Sequence, residues 1–437
     1  MIEKISLFLM YMLVLSVTNV FGMVEVLEEY RVAGVGKPSD FILIFLNVLT
    51  LIAVFGGTNK ELPTKLKAII KANIYLLLYV IFLVFYTVYY LRIGTVNYSL
   101  RTASDYFYYS SFLFPLYLIR KEKSFVQFVN FLRIGGIVTG IIAIASNVLG
   151  HSIATGVLSS QEGGFVRVYL PGFFNYFVIM MWLAKFLAKT PSRFRISYPE
   201  VIINALGILL FLGRTRIIVS LLMMIFIFLF ITKSASGRKK VILAVPILVL
   251  AVYFFMLYFN LPMTTLIDRF ILGYDQLQDQ NQALTGRLPL IIMGFGVFLN
   301  NPFFGTGFVH PTTDFYLSNL VGPNGMAITN SNDFGLVSML YTTGLVGILI
   351  ILNFFLRLLA YLKEILVDLR NKKLFDDSFR VGISLYAIVL FIFFVEQLAG
   401  NEFASRVMVS DLLTLGFCLK FLEPAENESE ETMAARV

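Results

Sequence analysis

Two arginines, Arg214 and Arg216, interrupt the apolar run LLFLGRTRIIVSLL at Leu209–Leu222. Arginine at the centre of a membrane helix costs about 2.5–3.5 kcal/mol on insertion scales. The same hairpin holds no acid to offset them. A guanidinium is planar, permanently charged and able to grip phosphate or carboxylate with two prongs. The pair therefore points to a bound anion. Arg167 in GGFVRVYLPG, Arg269 beside Asp268, and Arg287 ahead of LPLIIMGFGVFL extend the set of arginines outside the apolar blocks. Proton transfer needs a base, and Asp333 in TNSNDFG and His310 in HPTTDFY are the foremost candidates. Glu162, Asp314, Glu396 and Glu402 are weaker ones. Neither histidine, His151 nor His310, has the spacing to other ligands that a catalytic metal wants, so no metal and no cofactor are expected.

These residues sit in a chain built for lipid. Hydrophobic residues make up 58% of its 437 positions, charged residues only 14%, and mean hydropathy is +0.81. The fold class expected is all-α, a polytopic membrane protein of about twelve helices. The spans fall near 5–22, 41–56, 68–91, 103–119, 125–149, 168–187, 199–213, 217–232, 241–260, 334–358, 382–398 and 405–422. The first block lacks a small-residue cleavage site and reads as a helix rather than a removed leader. Residues 1–422 form a single membrane domain, and the acidic tail 423–437 reads as disordered. The lone cysteine, Cys418, lies in the last apolar block, so there is no disulfide framework.

The net charge of +8 does not point to nucleic acid, because the cations are spread over the loops. Loops 57–72, 120–124, 185–196, 233–240 and 357–380 hold 21 of them and read as cytoplasmic, as do both termini. Of those 21, 14 are lysines, whereas nine of the ten cations in the alternate loops are arginines. Topology needs positive charge of either kind. The arginine bias in the outer loops therefore adds to the case for an anionic ligand there.

Residues 261–333 are the one long segment outside the membrane, and a loop of that length is usually functional. Within it, Leu288–Leu299 gives about 18 Å of helix, too short for a hydrocarbon core of about 30 Å. It should lie in the interface or dip into the protein. NNPFFGTGF then supplies turn chemistry. The blocks on either side of GRTR are also short, which would set Arg214 and Arg216 below the outer headgroups.

The segments TGRLPLIIMGFGVFLNNPFFGTGF and NSNDFGLVSMLYTTGLVGILI together resemble the bacterial O-antigen polymerase and ligase family. The shared pattern is an arginine, an apolar helix, Asn-Pro before a glycine pair, and a polar cluster entering a helix with Gly344 and Gly347. FLGRTRIIVSLL resembles the family's earlier short hairpin, so the likeness covers about residues 200–350. The ligase branch places a histidine where this chain has Ser331-Asn332-Asp333, which favours a polymerase over a ligase, while the charges clustered in the outer loops and the long external loop favour an enzyme over a lipid-linked oligosaccharide flippase or transporter. The resemblance implies an inverting glycosyl transfer from a polyprenyl-diphosphate-linked oligosaccharide to an acceptor glycan hydroxyl, at the outer face of a bacterial plasma membrane. It implies a diphosphate held by Arg287, Arg214 and Arg216, with Arg167 and Arg269 as further substrate ligands, and a base in Asp333 or His310. A chain-length regulator protein is an expected partner by the same analogy.

Overall fold

The computed structural model describes residues 2–18, 20, 37–56, 62–154, 159–162, 165–168, 173–188, 194, 196–210, 250, 254, 257, 287–321, 335–370, 378–399 and 408–422. They form a helical membrane protein with one small β-hairpin. In chain order the helices are α1 (Ile2–Val17), α2 (Pro38–Phe55), α3 (Thr64–Phe85), α4 (Val96–Phe107), α5 (Leu113–Leu118) and α6 (Glu122–Leu149). After the hairpin β1 (Ser159–Glu162) and β2 (Phe165–Val168) come α7 (Phe173–Leu187), α8 (Tyr198–Leu210), α9 (Arg287–Asn300) and α10 (Asp314–Asn319). Then follow α11 (Gly335–Arg370), α12 (Ser378–Ala399) and α13 (Met408–Phe421). Pro38–Phe55, Thr64–Tyr90, Glu122–Leu149 and Val337–Ile365 are long and apolar enough to cross a membrane, and Tyr198–Leu210 and Ser378–Ile392 are shorter apolar helices. Of the sequence-predicted spans, 217–232 and nearly all of 241–260 lie outside the described residues. The others coincide with described helices in whole or part.

Three elements differ in detail from the sequence reading. The single span expected over 103–119 is α4, a 3₁₀ turn at Tyr108–Phe112, and α5. Pro115 has no N–H to give, so the chain tightens just ahead of it and restarts with the proline in a first turn. Before α7, the stretch ending in Arg167 pairs as strands, with Ser160 opposite Arg167. Finally, the helix expected over 334–358 runs to Arg370 but is broken at Gly344, where φ is 64° and ψ −174°.

α7 is buried on every side from Phe174 to Ala184, as befits a central helix wrapped by α6, α8 and α12. Buried amides hold this group together where lipid offers no other partner. The Asn175 amide donates to the Gly136 carbonyl and to Asn204 Oδ1, each at 2.9 Å, and Asn204 donates to the Glu200 carbonyl at 2.7 Å. At the rim Arg133 grips Glu200 with both prongs, at 2.7 and 2.5 Å. A second contact group joins α3 to α11 and α4, and α13 packs against the 3₁₀ turn and α5. Lys420 caps the C-terminal end of α5, donating to the carbonyls of Pro115, Leu116 and Ile119. Cys418 is buried in this packing.

Candidate functional site

The break in α11 is where the long loop enters the bundle. A helix interrupted at membrane depth leaves carbonyls above the gap and N–H groups below it without partners. The turn Asn301–Phe308 supplies them. Thr306 N–H donates to the Tyr341 carbonyl at 2.7 Å and Gly307 N–H to Thr342 at 2.9 Å. In return Leu345 N–H donates to Pro302 at 2.9 Å and Val346 N–H to Phe303 at 3.1 Å. The Tyr79 hydroxyl, from α3, takes the Thr343 carbonyl at 2.6 Å.

Two glycines make this approach possible. A Cβ on Gly344 would stand 2.3 Å from the Phe303 carbonyl oxygen, and one on Gly305 would stand 2.5 Å from that of Tyr341. Both residues also hold a left-handed φ, near 65°. Thr87, in the π-helical turn Tyr86–Tyr90 that continues α3, closes the junction by accepting from Phe308 N–H at 3.0 Å. Phe304 packs its ring against Phe82 and Tyr86, and Phe308 against Tyr106.

Beyond this turn the loop builds a small core of its own, separate from the main one, from Val297, Phe298, Val309, Tyr316, Leu320 and Tyr341. Met293 of α9 and Val337 of α11 pack against its edge. α9 therefore lies along the N-terminal part of α11, and the two run together to the same turn. Arg287 is the first residue of α9, at the end away from the turn. Gly335, the first residue of α11, follows Asp333 by two positions, and Asp333 itself lies outside the described residues. Arg214, Arg216 and Arg269 also lie outside them. The sequence reading of Leu288–Leu299 as a short helix outside the spanning set agrees with α9, whose 14 residues give about 21 Å.

Arg167 stands on β2, and the hairpin is tied to the bundle through Asn147 of α6. That side chain acts as a substitute peptide. Its amide donates to the Val166 carbonyl at 3.0 Å, and its Oδ1 accepts from Val166 N–H at 3.1 Å. Asn147 carried no signal in the sequence beyond being polar near a helix end.

His310 lies in the turn before α10. Its Nδ1 accepts from Thr312 N–H at 3.3 Å and lies 2.8 Å from the Thr312 hydroxyl. The ring stacks on Tyr98 of α4, with centroids 4.7 Å apart and planes at 24°. Tyr316, in α10 just beyond this turn, has its hydroxyl pKa raised by burial. Among the described residues, no three His, Cys, Asp or Glu side chains are grouped as a metal would need.

Comparison with known proteins supports the likeness seen in the sequence. Residues 201–352 match the family described as O-antigen ligase. The matched stretch includes α9, the turn that fills the break, α10 and the N-terminal part of α11. No curated protein matches the chain.

Proposed function

We propose that the chain, a membrane protein whose residues 201–352 match a family acting on O-antigen, is a polysaccharide polymerase working at the outer face of the plasma membrane. Its donor is a glycan on a polyprenyl diphosphate and its acceptor is a glycan hydroxyl. The acceptor oxygen attacks the anomeric carbon from the face opposite the leaving group. The bond from that carbon to the diphosphate oxygen breaks, and the configuration inverts. The hydroxyl proton passes to Asp333, and the lipid diphosphate leaves with the bonding electron pair.

The observation that supports this best is the position of Arg287 as the first residue of α9. α9 lies beside α11, the helix that follows Asp333. Arg214 and Arg216 complete the diphosphate ligands in this reading, and Arg167 and Arg269 serve the rest of the substrate. Aspartate in place of the ligase histidine favours chain elongation over transfer to another lipid.

The test is reconstitution in liposomes with a lipid-linked repeat unit. Elongation should proceed without nucleotide and in the presence of chelator. Arg287→Lys should reduce it by about 10²–10³-fold, the cost of one charge-stabilising donor, with protein level unchanged. Near-normal chain lengths in that variant would refute the diphosphate role. Transfer to a lipid A core would make the protein a ligase, and translocation alone a flippase.

A further inference from the structure

We infer that the stacked pair Tyr98–His310 is a preformed platform for the acceptor sugar, an inference that rests on the proposed glycosyl transfer. The two rings come from distant parts of the chain, Tyr98 from the first turn of α4 and His310 from the long loop. Each is held in place by its own local bonds. Thr95 caps α4 by accepting from Tyr98 N–H at 3.4 Å. The His310 carbonyl accepts from both the N–H and the hydroxyl of Thr313, at 3.0 and 2.8 Å. The two segments also approach each other, since a Cβ on Gly94 would meet the Thr313 side-chain methyl at 3.2 Å. Rings fixed this firmly before a ligand arrives lose little freedom when it binds.

The pair also stays at the surface. Tyr98 is 38% exposed even with His310 against it, and His310 is partly exposed. Tyr98 belongs to neither core. A stack made only for stability would be expected inside, where the ring area is worth most.

The chemistry offered is that of a neutral sugar. An aromatic face is electron-rich and attracts the weakly positive C–H groups on one side of a pyranose ring. A diphosphate would instead call for cations. The platform also adjoins the turn in the α11 break. Phe308, two residues before His310, donates to Thr87, and Tyr98 lies in the first turn of α4, the α-helix that follows α3. An acceptor held there lies in the same lobe as α9 and the start of α11.

The test uses the full-length protein in nanodiscs and two readouts. Binding of the free repeat-unit oligosaccharide, without lipid or diphosphate, is followed by saturation-transfer NMR. Elongation is measured with acceptor and donor varied separately. Tyr98→Ala should weaken free-glycan binding and raise the acceptor KM about tenfold, the scale of one lost ring face, while the donor KM stays unchanged. Tyr98→Phe, which keeps the ring, should recover most of that loss, and His310→Ala should act in the same direction as Tyr98→Ala.

A folded Tyr98→Ala protein that binds the free glycan like wild type would overturn the inference, as would a change in donor KM alone. The two readings fail separately. Free glycan bound through Tyr98 by a protein that cannot elongate leaves the platform standing and removes the polymerase. Elongation untouched by Tyr98→Ala does the reverse.

Discussion

Asn147 shows how a residue outside the chemistry can decide whether a site is presented. Its amide and carbonyl oxygen pair with both backbone groups of Val166, the neighbour of Arg167. Leucine at 147 would keep the volume but leave a buried N–H and C=O unpaired, costing about 1–3 kcal/mol locally. Asn147→Leu is expected to speed amide exchange at Val166 and protease cleavage within 150–168, with the bundle otherwise folded. Unchanged exchange at Val166 would mean that other contacts hold the hairpin. Single residues were legible in the sequence mainly through charge. Arg214 and Arg216 stood out because ions near lipid are costly, and Arg287 and Asp333 through the family resemblance. Asn147, Tyr98 and Thr87 did not, because their roles depend on partners that the fold brings from elsewhere.

At the scale of elements, the break in α11 is the feature that the sequence half disclosed. The sequence reads as one unbroken helix over 334–358, whereas the helix is interrupted at Gly344 and continues to Arg370. What interrupts it is a turn about forty residues upstream, and no local periodicity reports such a partner. Hydropathy located the spans because burial in lipid acts on whole segments. It could not show where one span would open its ladder to admit a loop.

Gly344→Ala places a Cβ 2.3 Å from the Phe303 carbonyl and strains a left-handed φ. The strain alone costs about 1–3 kcal/mol, with the clash added. Gly296 in α9 offers the contrast, since nothing lies within 4 Å of its added Cβ. Gly296→Ala should gain about 0.5–1 kcal/mol from helix propensity. Thermal melting in detergent should therefore move in opposite directions for the two variants. A Gly344→Ala protein as stable as wild type would refute this account of the junction.

Across the whole molecule, a tie at the other end of the sequence secures α1 to the start of α6. The Glu3 carboxylate accepts from the Ser124 hydroxyl at 2.7 Å and from Lys121 N–H at 3.0 Å. Partial burial by itself raises the Glu3 pKa. The Ser124 hydroxyl, the N–H groups of Lys121 and Arg120, and the Lys121 charge outweigh it and hold the carboxyl below its ordinary value. A depressed carboxyl stabilises the fold at neutral pH, and that contribution fades as pH falls below the ordinary carboxylate range. Glu3→Gln should therefore lower Tm at pH 7 and lose its effect near pH 3, as read from melts across that interval. An equal shift at both pH values would place the effect elsewhere.

The junction at Gly344 also constrains how the protein is made. Asn301–Phe308 leaves the ribosome before α11, so its N–H and carbonyl groups must wait, hydrated, for a helix not yet synthesised. They cannot enter lipid alone, because several of their hydrogen bonds are completed by Tyr341–Val346. The turn must dock after α11 has been inserted. Assembly of this lobe is then a late, post-insertion step, and the α9 segment bearing Arg287 is docked only in the finished protein.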